Sequence, residues 1–259
     1  MNINIETGIH HIQSLLLLVS VAILAYHCSS GSGEMSQSAS DANPGTVERK
    51  RTDGTRSSVN QVDEMGMVHG IRLTYYPDGK TVRTKLTFNH GIKHGPAIRY
   101  YHNGQVFEHT GYQDGRKHGL TRKYHKNGML MAEFTYENGI VQPGLKEYDT
   151  DGRLVTSYPE IRFIESDHLA ARSRLDLEMS CSREGVGVKY YLIDRENGKE
   201  NRTYLISENG KATLQLYIRP GESLSKILEI QAEIPTDLGN ILVKRLTYHL
   251  NRFNIAPPA

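Results

Sequence analysis

Residues 100–119, YYHNGQVFEHTGYQDGRKHG, decide the fold of this chain. Two turn signals, His102-Asn103-Gly104 and Asp114-Gly115, enclose a short run in which Val106 and Tyr112 fall among polar neighbours. Asn-Gly and Asp-Gly pairs accept positive φ and favour tight hairpins, and apolar residues at every second position mark a strand with one packed face. The same device recurs along the chain. Gly70, Gly95, Gly119 and Gly144 stand 25, 24 and 25 residues apart; Gly79, Gly104, Gly128 and Gly152 follow at 25, 24 and 24; Gly91, Gly115 and Gly139 are spaced by 24. Three interleaved series with one period predict an array of hairpins, each unit holding two strands and two turns.

The strands keep register in their side chains as well. A tyrosine stands four residues before each glycine of the second series, at Tyr75, Tyr100, Tyr124 and Tyr148. Val82/Leu86/Phe88, Val106/Tyr112 and Leu130/Ala132/Phe134/Tyr136 line one face of the strands that follow. One hairpin cannot bury such a face, whereas a stack of hairpins makes it continuous. The four ladder tyrosines are therefore the candidate binding residues of a repeat face, with packing of the sheet itself as the plainer role.

The unit from Tyr100-Tyr101-His102-Asn103-Gly104 to Asp114-Gly115-Arg116-Lys117-His118-Gly119 resembles the MORN repeat variant, about three and a half units of which fit residues 66–158. The last unit carries Pro143-Gly144 in place of His-Gly, as a terminal cap would. The resemblance implies an extended antiparallel sheet used as an interaction surface for a protein partner. It also implies kinship with YwqK-type antitoxin or toxin-immunity proteins, whose partner would be a toxin.

Residues 62–159 are thus the repeat segment, and after Pro159 the glycine period stops. Seven candidate strands follow within 160–259, at 161–165, 174–181, 187–193, 202–207, 212–218, 227–234 and 241–250. Leu175/Leu177/Met179/Cys181 and Ala212/Leu214/Leu216/Ile218 alternate cleanly, and Asn209-Gly210 and Gly239-Asn240 supply turns. Alternation implies two sheets on one core. The strand count suits an immunoglobulin-like or fibronectin-III-like sandwich, although no Cys…Trp…Cys pattern occurs. The fold class is therefore all-β: a MORN-like hairpin array followed by an immunoglobulin-like sandwich, with Cys181 read as a buried small hydrophobe.

The N-terminal region has another character. Residues 15–26, LLLLVSVAILAY, are a twelve-residue apolar run that ends just before Cys28. That length suits the core of a signal peptide better than a membrane span. A cysteine after such a run, followed by SSGSGE, resembles the lipobox of bacterial lipoproteins, which implies cleavage after residue 27 and lipid attachment at Cys28. The expected location is then the bacterial cell envelope, membrane-attached. Residues 28–61, polar and with no hydrophobic period, read as a disordered tether, and the run Glu48 to Arg51 as a solvated patch.

Composition narrows the function. Thirty-one basic residues against 29 acidic ones argue against nucleic acid as a partner. No nucleophile motif, phosphate loop, His-Glu-x-x-His or Cys-x-x-Cys is present, so no catalytic residue, enzyme activity or cofactor is expected. His69, His94 and His118 recur just before the first-series glycines. Equivalent positions in stacked hairpins lie roughly 10 Å apart, too far to share one ion, so no metal is expected from that series. Residues 66–158 hold 13 Lys/Arg and 8 Asp/Glu, a modestly basic array. The strand near Ile71 to Tyr76 is the expected open edge, where a partner strand could add.

Overall fold

A computed structural model describes residues 45–255; Cys28, the apolar run before it and the first part of the expected tether lie outside the described residues. The repeat segment is a meander of antiparallel strands in one sheet. It contains β1 (Thr46–Lys50), β2 (Arg56–Val62), β3 (Val68–Tyr75), β4 (Val82–Asn89), β5 (Ile92–Tyr100), β6 (Val106–Gln113), β7 (Arg116–Lys117), β8 (Gly119–Tyr124), β9 (Leu130–Glu137), β10 (Ile140–Val141) and β11 (Lys146–Glu147). Each strand pairs with the next in sequence, except that β6 meets both β7 and β8, and β9 meets both β10 and β11.

The turns repeat with the glycines. The amide of Gly79 donates to the Tyr76 carbonyl at 3.0 Å, that of Gly104 to Tyr101 at 3.0 Å, that of Gly128 to His125 at 2.9 Å and that of Gly152 to Asp149 at 3.0 Å. Asp or Asn inside the turn adds a side-chain bond to the backbone, as in Asx-turns. Asp78 is the most developed case, accepting from the Thr81 hydroxyl at 2.6 Å and from the Thr81 and Lys80 amides. These bonds, the Thr81 hydroxyl first, push its pKa from 3.8 down to about 2. Because the folded value lies below the unfolded one, the turn's stabilising effect is present above about pH 4 and lost as pH falls through about 2. A carboxyl NMR titration of Asp78 is expected to show a midpoint well below that of a free aspartate.

Two expectations need correction. Residues 46–61 are not tether: they form β1 and β2, paired to each other and, through β2, to β3. The reason is an earlier start to the period, since Gly45 and Gly54 stand 25 residues before Gly70 and Gly79. The Gly54 amide donates to Arg51 at 2.9 Å, the same turn bond as in the later units. Nor is the strand near Ile71 to Tyr76 an open edge. It is β3, bonded on both sides, and β1 is the first strand of the sheet among the described residues.

The second unit bears out the all-β expectation. Its strands are β12 (Ile161–His168), β13 (Arg174–Cys181), β14 (Lys189–Glu196), β15 (Lys199–Leu205), β16 (Ser207–Glu208), β17 (Lys211–Tyr217), β18 (Ser223–Pro235) and β19 (Ile241–Phe253), with one short helix, α1 (Leu169–Arg172), after β12. They make two four-stranded sheets, β12-β13-β17-β16 and β15-β14-β18-β19. The alternation read from sequence becomes a shared core: Leu175, Leu177 and Met179 of one sheet with Tyr190, Ile230, Ala232 and Ile234 of the other are fully buried. Each buried Leu, Ile or Met side chain among them contributes about 1.5–3 kcal/mol through removal from water. Cys181 is half-buried at the margin of this core. Among the described residues no helix is long and apolar enough to cross a membrane.

The two units are joined rather than strung together. Ala132, Phe134 and Leu145 of the array belong to the same apolar cluster as the sandwich core. Beside them lies Glu147, 1% exposed, which accepts hydrogen bonds at 2.6 Å from the Thr236 hydroxyl and the Asn240 side-chain amide of the β18–β19 turn. The Lys123 ammonium donates to the other end of Asn240 at 2.6 Å. One polar chain thus ties two array units to one sandwich turn.

Candidate functional site: the ribbed face of the array

Three of the four ladder tyrosines close a strand just before a turn. Tyr75 ends β3, Tyr100 ends β5 and Tyr124 ends β8, while Tyr148 makes an isolated bridge to Leu154. Tyr75 is buried and the other three are half-buried. Among the described residues no ring contact joins one ladder tyrosine to another; the close aromatic pairs are others, such as Tyr101 with Phe107 at 5.1 Å. The ladder rings therefore do not form a stacked column.

What links the units is the residue that follows each ladder position. The Tyr76 hydroxyl donates to the Tyr100 carbonyl at 2.7 Å, and the Tyr101 hydroxyl to the Tyr124 carbonyl at 2.8 Å. In the next unit His125, 7% exposed, places its Nε2 2.8 Å from the Tyr148 carbonyl. In the first unit the Arg51 guanidinium donates to the Tyr75 carbonyl at 2.8 Å. Four successive side chains thus fasten each hairpin to the next by 23 or 24 residues. Arg51, expected as part of a solvated patch, is the first of them. Asp149 holds the equivalent place in the last unit and accepts from its own turn, at the Asp151 amide, instead.

Losing one such fastening should be measurable. Tyr101→Phe keeps the ring and removes the hydroxyl that meets Tyr124, and a typical net hydrogen bond is worth about 1 kcal/mol. Urea denaturation is expected to show a loss of that size, with near-additive loss in the Tyr76→Phe, Tyr101→Phe double variant.

Alternation gives the sheet two unlike faces. On one, Arg99, Glu108 and Lys123 lie side by side in successive strands. The Glu108 carboxylate, 3% exposed, meets Lys117 at 3.0 Å and Arg99 at 3.5 Å. Burial would lower the Lys117 ammonium, but Glu108 outweighs it and holds that group above its ordinary value. Lys123 goes the other way, pushed down chiefly by burial. Towards its C-terminal end this face carries Ala132 and Phe134 into the sandwich core. It is the structural face of the array.

The opposite face carries Ile98, His109 and Tyr124. With Gln105, Val106 and Gly128 they line an open depression of about 350 Å3 between neighbouring hairpins. Ile98, Val106 and Tyr124 give its walls an apolar and aromatic character, and Gln105 and His109 are its polar groups. Of the four tyrosines expected at a binding face, Tyr124 lines it.

Three consecutive units match a family model. A model of the MORN repeat variant matches residues 68–90, 93–114 and 117–138. No curated protein and no solved structure matches the chain. The MORN-variant match covers the units fastened by Tyr76 and Tyr101, while the same turn geometry continues beyond it on both sides, at Gly54 and at Gly152. The MORN repeat is a non-catalytic module, often used to contact proteins or membranes.

The histidine series resolves differently from its spacing. His69, His94 and His118 are exposed and each remains with its own unit. His94 lies 3.8 Å from Asp114, and His69 packs on His90 with ring centroids 4.5 Å apart. His90 had no special mark in the sequence beyond its place before Gly91.

Proposed function

We propose that this chain is a non-enzymatic binding protein of the bacterial cell envelope, whose hairpin array docks a protein partner on the face that carries Tyr124. One observation carries the reading: the sandwich occupies the opposite face at the C-terminal units, while the depression lined by Ile98, Val106, His109 and Tyr124 stays open. A rigid, ribbed surface of this kind suits a partner that reads several hairpins at once. The sandwich, which we read as immunoglobulin-like because β12-β13-β17 and β15-β14-β18-β19 follow that strand order, would fix the array's last units. The apolar run of residues 15–26 and Cys28 support an N-terminal membrane attachment through a lipid on Cys28.

The test uses the full chain as bait for envelope proteins, beside Ile98→Asp and Tyr124→Ala variants checked for native circular dichroism. A partner captured by the native chain and lost at least tenfold by both variants is the expected result. Capture that is indifferent to both would refute the assigned face. A captured toxin whose activity is blocked would extend the reading to toxin neutralisation. The mass of the mature N-terminus tests the anchor: a diacylglyceryl-modified Cys28 at the first position is expected.

A further inference from the structure

We propose that Asp63, His69 and His90 form a site for one divalent transition-metal cation, Zn2+ being the probe of choice. The three residues come from the turn after β2, from β3, and from the turn between β4 and β5, and their candidate donor atoms all lie within 4.8 Å of one another. They are the one such group of three among the described residues. The site is independent of whether the array docks a partner.

The arrangement is partly built already. Asp63 Oδ1 accepts from the backbone amides of Met65 and Met67, at 3.0 and 2.9 Å, which fixes the carboxylate. Its other oxygen, Oδ2, lies 2.8 Å from His90 Nδ1. The His90 hydrogen bond is the first cause that holds the Asp63 carboxyl below its ordinary range. His69 Nδ1 sits 3.4 Å from the His90 amide, which brings the two rings together. Zn2+ holds nitrogen and oxygen donors at about 2.0–2.2 Å, so donors at a tetrahedral angle stand about 3.4 Å apart. The imidazoles are exposed, which leaves their χ angles free to bring the donors to that spacing when an ion binds. Two imidazoles with one carboxylate suit Zn2+, Ni2+ or Cu2+ and not Ca2+ or Mg2+, which prefer oxygen. A fourth position is left for water.

The repeat itself isolates what is special about this unit. The places of His69 and His90 are taken by His94 and Asp114 in the next unit and by His118 and Asn138 in the one after. The place of Asp63 is taken by Phe88, Tyr112 and Tyr136. Among the described residues only here do two imidazoles and a carboxylate meet, and an ion bound there would clamp two neighbouring hairpins together.

Calorimetric titration of the full chain with Zn2+ in a non-chelating buffer, with thermal melts in parallel, tests the site. One ion per chain and a raised melting temperature are expected. His90→Asn and Asp63→Asn should each weaken binding at least tenfold and abolish the thermal shift, whereas His118→Asn should change neither. His90→Asn should fold, because Asn138 occupies the matching turn position with φ 50°. Absence of binding, or binding unchanged in His90→Asn and Asp63→Asn, would overturn the proposal, as would its loss in His118→Asn.

Discussion

Glu147→Ala is expected to destabilise the fold by about 3 kcal/mol, since it removes two hydrogen bonds to a buried carboxylate and such bonds are worth roughly 1.5–3 kcal/mol each. The carboxylate is 1% exposed and is the acceptor for both Thr236 and Asn240. Truncation leaves the buried Asn240 side-chain amide without its acceptor, an added penalty, and takes the same acceptor from the half-buried Thr236 hydroxyl. It also leaves Lys123, which reaches Asn240 at 2.6 Å, at the end of a broken chain. Because the network joins the array to the sandwich, the loss should be visible in cooperativity as well as in midpoint. Urea unfolding followed by tyrosine fluorescence and by far-ultraviolet dichroism should give one transition in the native chain and separated transitions in the variant. Coincident transitions with an unchanged midpoint would show that Glu147 does not couple the two units.

Gly210→Ala is the second large effect, expected at about 3 kcal/mol. Two costs add there. Gly210 has φ +76°, and a Cβ in that left-handed region costs roughly 1–2 kcal/mol. The same Cβ would meet the Val186 carbonyl oxygen at 2.5 Å, a backbone atom that cannot swing aside. The surrounding turn is also load-carrying for the core, since the buried Tyr190 hydroxyl donates to the Gly210 carbonyl at 2.8 Å. Gly221→Ala separates the two causes. Its φ is +78° but nothing lies within 4 Å of the added carbon, so only the conformational part, about 1 kcal/mol, should be lost. Equal losses in the two variants would mean that the close approach at Val186 contributes nothing.

The Asn209-Gly210 turn was legible in advance because its chemistry is local: both residues take positive φ in a two-residue hairpin. The same holds for the sandwich strands. In β17 every second residue is buried, matching the alternation of Ala212, Leu214 and Leu216. The array was legible from Gly70 onward, where Asn-Gly or Asp-Gly follows a tyrosine. The earliest described unit was not, because Lys50 and Arg51 stand where later units carry Tyr-Tyr, Tyr-His or Tyr-Asp. With the aromatic mark gone, polar residues read as tether, although Gly45 and Gly54 kept the period.

The ladder tyrosines show a different kind of limit. Their positions recur as expected, but the bonds between hairpins come from their neighbours Arg51, Tyr76, Tyr101 and His125, and end on backbone carbonyls. Periodicity identifies equivalent places and says nothing of which side chain crosses to the next unit. Glu147 was hidden for a related reason, since its partner Asn240 is 93 residues away. The pair of His69 with His90 likewise joins two glycine series, whereas spacing compared members of one series only.

Among the described residues the hairpin array runs unbroken from Gly45 into the units matched by the MORN variant. Hydrogen exchange over residues 46–76 tests it most directly. Amides of β2, bonded between β1 and β3, should exchange as slowly as those of β3. Fast exchange throughout 46–62, with protection starting only at Val68, would contradict it.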